Sequence, residues 1–463
     1  MEHMQIFNTL TRKKEEFIPI KEGEYKIYVC GPTVYNYIHI GNARPAVVFD
    51  TLRRYLEYRG NKVKYVSNIT DIDDKIIKRS NEEGIPFEAV ARKYEDEYYK
   101  DLQGLNVRFA DVRPRVSDHI PEIIDIVETL IEKGHAYKTE NGDVYYRVKS
   151  FPEYGKLSHQ SLEDLESGAR IAVGEIKEDP ADFALWKAAK PGEPEWDSPF
   201  SEGRPGWHIE CSAMSKKHLG ETIDLHAGGE DLVFPHHENE IAQSEGASGK
   251  EFAHYWMHNA FINVDNQKMS KSLNNFFTVR EIAEVYGYEP IRYFLLTARY
   301  RMPLNYTTDI IAQCKSSLAS LYTARDQMDF LIANSTGTDD SIMKVADDAK
   351  KGFIEVMDDD LGTPDALSKL FEITTAVNKT GARQSPEALK YATAIFDELC
   401  GVLGLLYNRK TSEIPQNVLD LVAERTEVRK AKNWARADEI RDELDKLGYI
   451  VKDTPQGPQV LAK

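Results

Sequence analysis

The sequence has too little cysteine for a disulfide framework: Cys30, Cys211, Cys314 and Cys400 are scattered through 463 residues. It has no apolar run approaching a membrane span. Its start, MEHMQIFNTLTRKKEEF, lacks an apolar secretory core. These absences lead to the expectation of a soluble, cytoplasmic protein with no membrane partner. Internal repeats and low-complexity tracts are missing too. A chain of this length is then expected to divide into about two to four ordinary globular domains.

Basic residues are in deficit. Lys and Arg number 59 against 76 Asp and Glu, a net charge of -17, which by itself argues against a nucleic-acid partner. The charge is uneven, however. Arg409 to Lys463 holds eleven basic and ten acidic residues, so the acid excess lies wholly in the preceding 408. The cluster Arg429, Lys430, Lys432, Arg436 and Arg441 is suited to gripping phosphates. A solvated helix face with compensating acids is the plainer alternative.

What is present begins with a strand, a helix and a second strand. YKIYVC is the first strand, a helix runs from about His39–Asn42 to just before Gly60, and NKVKYVS is the second strand. This is a βαβ unit of the doubly wound type. DHIPEIIDIVETLIEKGHAY reads as an amphipathic helix stopped at Gly134, and GDVYYRV as a strand. Residues from about 115 to 205 are rich in Gly, Pro and charge with little periodicity, and read as an insertion between two halves of a nucleotide fold. From Ile223 the α/β pattern returns. After about residue 308, AQCKSSLASLYTARDQMDFLI, ALSKLFEITTAVNKTGA and PEALKYATAIFDELCGVLGLLY suggest an up-down helical bundle. Beyond Arg409 comes a helix using Trp434, Ile440, Leu444 and Leu447, then a short strand, GYIVKD. The expected fold class is α/β. A Rossmann-like catalytic domain (1–114 and 206–308) is split by a connective insertion (115–205). A helical bundle (309–408) and a small α+β C-terminal domain (409–463) follow.

Cys314 and Cys400 lie in helical, partly apolar stretches and read as small buried hydrophobes. Cys30 and Cys211 each end an apolar run and precede small or turn residues, in YKIYVCGPT and GWHIECSAM. Both are expected at the end of a strand, beside a pocket. FPHHENEIAQSEG, from Phe234 to Gly246, crowds two histidines and two glutamates into five residues. On a helix His236 and Glu240 share a face at i,i+4, and His237 and Glu240 are the alternative at i,i+3. A metal pair and a solvated helix start are both open at this point.

HIGN at His39–Asn42 opens a helix after a strand. Free backbone N–H groups and the partial positive charge of a helix N-terminus suit a triphosphate. Gly41 admits an adenine ring to the backbone, and His39 donates where charge develops on phosphate. KMSKS, from Lys268 to Ser272, follows 229 residues later. Two ammonium groups on a Ser/Asn-rich loop can follow a departing pyrophosphate.

The pair of motifs, in this order and on either side of an insertion, resembles the class I aminoacyl-tRNA synthetases. YVCGPTVYNYIHIGNARPAVVFD, SNITDIDDKII, DPADFALWKAAKPGEPEWDSPF, GRPGWHIECSAM, DLHAGGEDLVFPHHENEIAQSE and FINVDNQKMSKSLNNF resemble the cysteinyl-tRNA synthetases in particular. ARADEIRDEL near the C-terminus is similar as well. The resemblance implies a ligase that activates L-cysteine with ATP to cysteinyl-adenylate and transfers it to the 3' end of tRNA(Cys). It implies one Zn²⁺ per chain on Cys30, Cys211, His236 and Glu240, and Mg²⁺ with ATP. Zinc prefers a thiolate, at about 2.3 Å, to the hydroxyl of serine. No proofreading domain is then required, and an insertion of this size is small for one. His39 and Asn42 are the implied phosphate-side catalytic residues, and Lys268 and Lys271 the pyrophosphate-side ones. ATP binding falls to His39, Gly41, Asn42, Gly229, Asp231 and Lys271. Thr70 and Trp207 resemble substrate-pocket residues; an acidic turn after Thr70 and a core tryptophan are the plain alternatives. Arg429, Trp434, Asp438 and Asp453 resemble anticodon contacts, Trp434 by stacking on a base or by filling a small core. A monomer is expected.

Four departures from the family pattern stand out. Asn42 replaces a second histidine, and Ala227, Ala260 and Asn274 replace glycines. Two rival readings remain. One is a related ligase that joins cysteine to an amino-sugar and has no use for an anticodon contact. The other is a zinc-containing RNA-binding protein with an inactive nucleotide fold.

Overall fold

The computed structural model describes residues 4–161, 176–268, 276–409, 414–454 and 457–462. The chain forms two compact units, Met1–Ala312 with Val356–Thr363, and Gln313–Glu355 with Pro364–Lys463.

A four-stranded parallel sheet organises the first unit, in the order Ala253–Asn259, Ile223–Gly229, Glu24–Val29, Lys62–Ser67. Tyr25, Ile27, Tyr28 and Val29 are all buried, as in a parallel strand covered on both faces. The chain leaves Glu24–Val29 for one neighbour and returns later to the other. The crevice beyond the C-terminal ends of these strands is therefore a topological switch point, where ligands bind in open α/β sheets. Register places Tyr28 between Val66 and His226, and the Tyr28 and His226 rings stack at 5.1 Å. Side chains alternate along a strand, so Cys30 continues the face of Tyr28 toward His226. The Ile40–Tyr58 helix follows the first strand, and Gly60 (φ 88°) makes the turn into the second.

The insertion carries the Ile120–Glu132 helix and an antiparallel sheet ordered Ala136–Lys138, Val144–Tyr146, Phe183–Ala188, Gly203–Pro205. Only one of these strands, Val144–Tyr146, is apparent from the sequence; the others lie in stretches rich in Gly, Pro and charge that show little periodicity. The insertion shares one hydrophobic core with the parallel sheet: Tyr146, Leu185 and Trp186 pack with Ile209, Cys211, Ile223 and Trp256. A smaller sheet orders Gln267–Lys268, Ile262–Val264 and Leu304–Tyr306.

The later part of the chain is helical, with Thr308–Asn334, Ser341–Asp358, Thr363–Thr380 and Pro386–Leu403. The small C-terminal element differs from expectation. It has two helices, Gln416–Lys430 and Trp434–Lys446, and a hairpin of Tyr449–Thr454 with Gly457–Ala462. Its core is Val418, Val422, Ile440 and Leu444. Trp434 and Leu447 lie outside it, 55% and 47% exposed. Trp434 is the first helical residue and more than half exposed, so the core-filling alternative for this side chain is set aside.

Candidate active site and metal-ligand cluster

A cavity of about 450 Å³ opens at the switch point. Cys30, Gly41, Asn42, His39, Thr70, Trp207, Cys211, Gly229, Asp231 and His236 all border it. Cys30 is fixed by its own backbone, whose N–H donates to Ala227 O at 3.1 Å. Gly31 follows because nothing larger fits: a Cβ there would lie 1.7 Å from the Asn68 carbonyl oxygen. Gly31 N–H donates to Asn68 Oδ1 at 2.9 Å. Asn68 is a site residue that the sequence reading missed, because an amide after a strand carries no pattern of its own. Ala227 lies inside the Ile223–Gly229 strand, ahead of the turn, and its backbone needs no glycine.

At the helix N-terminus His39 and Asn42 cap each other. Asn42 N–H donates to His39 Nδ1 at 3.2 Å, and His39 N–H donates to Asn42 Oδ1 at 3.3 Å. This is a capping box with unusual members. Because Nδ1 accepts, the neutral ring carries its proton on Nε2. The amide of Asn42 keeps its NH2 as a donor that does not titrate. The motif is braced by Ile40 N–H on Phe277 O at 3.2 Å and Val279 N–H on Ile38 O at 3.0 Å. Of Lys268 the backbone alone is described, at the end of Gln267–Lys268. Lys271 and Asn274 lie outside the described residues.

Cys30, Cys211, His236 and Glu240 bring one ligand atom each within 4.8 Å of one another. The thiols are 3.8 Å apart, Cys30 Sγ is 3.6 Å from Glu240 Oε1, and His236 Nε2 is 3.0 Å from the same oxygen. Four stretches supply these ligands: Cys30 just past the end of the first strand, Cys211 within the Trp207–Leu219 helix rather than at the strand end expected of it, His236 in the Val233–His237 turn, and Glu240 in the first turn of the Glu238–Ser248 helix. Burial pushes the Cys30 thiol well up, and the hydrogen bond from Cys30 holds Cys211 down at about 6. Burial opposes charge on both His236 and Glu240 but loses. The Glu240 carboxylate holds His236 up at about 10, while His226 and His236 hold Glu240 down at about 2. Fully buried Glu240 Oε2 makes no hydrogen bond among the described residues, although His226 Nε2 stands 3.2 Å away. Two thiols, an imidazole and a carboxylate form a donor set that suits zinc and not Mg²⁺ or Ca²⁺.

A second set, Cys30, His226, His237 and Glu240, is equally close. Cys211 and His236 border the cavity, whereas His226 and His237 do not. His237 Nδ1 is 2.8 Å from His258 Nε2, and His258 Nδ1 is 2.8 Å from Thr9 Oγ1. Burial pushes the His237 imidazole well below its ordinary range and that of His258 down to about 3. These rings are therefore neutral and back the cavity-facing set. Trp207, 41% exposed, stacks on His236 at 4.2 Å, so it is a cavity wall and not a core residue. Thr70 Oγ1 donates to Glu210 Oε2 at 3.3 Å, and Thr70 O accepts from Val34 N–H at 3.1 Å, which holds the loop over the cavity. Asp71 is taken up by Ser117 and Arg92, and Asp73 caps the Asp74–Glu83 helix. Gly229 leaves room for the Asp231 carboxylate, which would meet a Cβ there at 2.4 Å.

A profile of the class I (C) tRNA synthetase catalytic domain matches residues 16–316, a DALR domain matches 352–407, and a cysteinyl-tRNA ligase anticodon-binding domain matches 411–460. The cysteine–tRNA ligase of Caldicellulosiruptor saccharolyticus is 55% identical over 462 residues, 99% of each chain. That of Clostridioides difficile is 52% identical over 98% of this chain and 99% of its own. This chain belongs to the cysteine–tRNA ligase family. The family's fold is shared more widely: Mycobacterium tuberculosis methionyl-tRNA synthetase in complex with methionyl-adenylate superposes with a TM-score of 0.61 at 16% identity, over 82% of this chain and 89% of that one.

A cysteine–tRNA ligase needs an RNA-reading surface, and the matched anticodon-binding region supplies the candidates. It also sets aside the amino-sugar ligase. Arg429 lies over the Trp434 ring at 5.4 Å and pairs with Asp453 at 3.2 Å. Asp453 also accepts two bonds from Arg425, at 2.7 and 3.0 Å. Asp438 pairs with Arg441 at 3.2 Å. Arg429, Trp434 and Asp453 are thus brought together, while Asp438 sits on the Trp434–Lys446 helix with a partner of its own. Within the described residues no helix is long and apolar enough to cross a membrane.

Proposed function

We propose that this cysteine–tRNA ligase selects its amino acid at the cavity through Cys30, Cys211, His236 and Glu240, which hold one Zn²⁺. The carboxylate oxygen of L-cysteine bonds to the α-phosphorus of ATP and pyrophosphate leaves. The terminal ribose hydroxyl of tRNA(Cys) then bonds to the acyl carbon and AMP leaves. Bound at these four residues, zinc supplies a soft cation that accepts the substrate thiolate over the serine hydroxyl, a discrimination that an apolar pocket limits to about two orders of magnitude.

The chain's own groups do the rest by positioning and charge. His39 Nε2–H and the Asn42 amide donate to the phosphate side at the helix N-terminus. Gly41 and Gly229 admit the nucleotide to the backbone, and Asp231 accepts from the ribose hydroxyls. Lys268 and Lys271 take the pyrophosphate, and Mg²⁺ accompanies ATP. Thr70 and Trp207 border the cysteine. Arg429, Trp434, Asp438 and Asp453 meet the anticodon. The assigned parts are a catalytic domain of 1–114 and 206–308, the 115–205 insertion, a bundle of 309–408 and the anticodon-binding domain of 409–463, acting as a cytoplasmic monomer.

The observation that carries this reading is the convergence of four ligand atoms within 4.8 Å beside a cavity that also holds the helix N-terminus. Cys211→Ser tests it. The variant is expected to lose bound zinc and, by at least about a hundredfold, cysteine-dependent exchange of pyrophosphate into ATP. Wild-type exchange in the variant would remove the site.

A further inference from the structure

The stretch Ala260–Ile262 walls the cavity beside Asn42, Pro45 and Ala46. It follows the Ala253–Asn259 strand, two strand spacings from the one that ends at Cys30, or about 10 Å. Asn259, just before this wall, pairs in register with Gly229, so the wall stands beside the Gly229–Asp231 turn at one side of the cavity. Two charged side chains hold this wall, and neither borders the cavity. Arg44, fully buried, donates from Nη1 to Ala260 O at 2.7 Å and Phe261 O at 3.0 Å. From Nη2 it donates to Met302 O at 2.6 Å and Arg299 O at 3.3 Å. Glu230 Oε1 accepts from Phe261 N–H at 3.0 Å. The same peptide is thus gripped through its carbonyl side and its N–H side.

Arg44 has no carboxylate within ion-pair distance among the described residues. A buried guanidinium on carbonyls alone is a costly way to fill space, and an apolar side chain of similar volume would serve stability as well. Burial lowers its proton affinity to about 10, against which the Glu230 charge works. The fixed fork of the guanidinium reaches four carbonyls at once, and lysine cannot reproduce it. Ala260 fits this arrangement: it is 2% exposed, and its N–H donates to Tyr300 O at 2.9 Å.

We propose that Arg44 and Glu230 are positioning residues for the nucleoside end of ATP. They fix the Ala260–Ile262 wall from its two edges, and the purine of ATP packs on that wall. The inference rests on the cavity being the cysteinyl-adenylate site. Its test is steady-state pyrophosphate exchange with ATP and cysteine varied in turn, alongside thermal melting and zinc content. Glu230→Ala is expected to raise KM for ATP by about tenfold, with KM for cysteine, zinc content and melting temperature unchanged. Glu230→Gln retains an acceptor for Phe261 N–H and is expected to restore KM for ATP. Arg44→Lys is expected to raise KM for ATP in the same selective way, and Glu230→Ala keeps the test open if it fails to fold. Unchanged KM for ATP in Glu230→Ala, or an equal rise for both substrates, overturns the proposal. Failure of the site itself shows differently, as exchange that survives Cys211→Ser.

Discussion

The metal candidates were legible only in part: i,i+4 spacing favours His236 with Glu240 and a strand end marks Cys30, but Cys211, expected at a strand end, stands within the Trp207–Leu219 helix. What a linear reading could not separate was the second set built on His226 and His237. His226 arrives through sheet register, beside Tyr28, and register is not written in either strand alone. The departure at Asn42 is likewise explained by a contact, the mutual cap with His39. It gives a sharp prediction, because cap and chemistry call on different atoms of one side chain. Aspartate keeps the accepting oxygen for His39 N–H and places a favourable charge in the first helical turn. It loses the donor and brings an anion to the phosphates. Asn42→Asp is therefore expected to melt within about 1 kcal/mol of wild type yet to lose at least about a hundredfold in pyrophosphate exchange. A variant that keeps its activity would show Asn42 to be a cap and nothing more.

Among the elements, clear patterning between turn residues decided legibility more than length did. Ile40–Tyr58 and Ile120–Glu132 declare themselves by periodicity and by Gly60 and Gly134. Ala136–Lys138, Phe183–Ala188 and Gly203–Pro205 in the insertion do not, and neither does Gln416–Lys430, whose core side chains are few. Nor does composition reveal how Ile40–Tyr58 is locked. Asp50 on that helix accepts from Arg292 Nη2 at 2.7 Å, from Arg54 Nε at 2.8 Å and from Arg108 N–H at 3.0 Å. Asp50 and Arg292 are both buried. Burial alone would raise the Asp50 carboxyl, but Arg292 and Arg54 carry it below its ordinary 3.8. A depressed carboxyl stabilises fully above its unfolded value and loses that contribution as pH falls through the folded one. Asp50→Asn leaves Arg292 without this carboxylate, and denaturation at pH 7 is expected to show a loss of about 3 kcal/mol. Below the ordinary aspartate range the gap between variant and wild type should narrow. A gap that stays constant from pH 7 to pH 3 would mean that the charge on Asp50 plays no part.

At the scale of the whole molecule, net charge was the misleading quantity and its distribution the useful one. A chain at -17 is a poor polyanion binder on average, yet its last fifty-odd residues are nearly neutral and collect the arginines. The cluster there is self-paired: Arg429 rests on Trp434 and on Asp453, which Arg425 also holds. On the anticodon reading proposed above, an incoming base would replace those contacts with stacking on the exposed indole and with edge hydrogen bonds, each worth about 1–3 kcal/mol. Amino-acid activation involves no RNA, so the two activities of the chain can be separated by one substitution. Trp434→Ala is expected to leave cysteine-dependent pyrophosphate exchange and melting temperature at wild-type values. It should raise KM for tRNA(Cys) in aminoacylation by about tenfold. Since Trp434 lies outside the Val418–Leu444 core, a fall in stability would assign it to packing instead. An unchanged KM for tRNA would move the reading surface elsewhere on the domain.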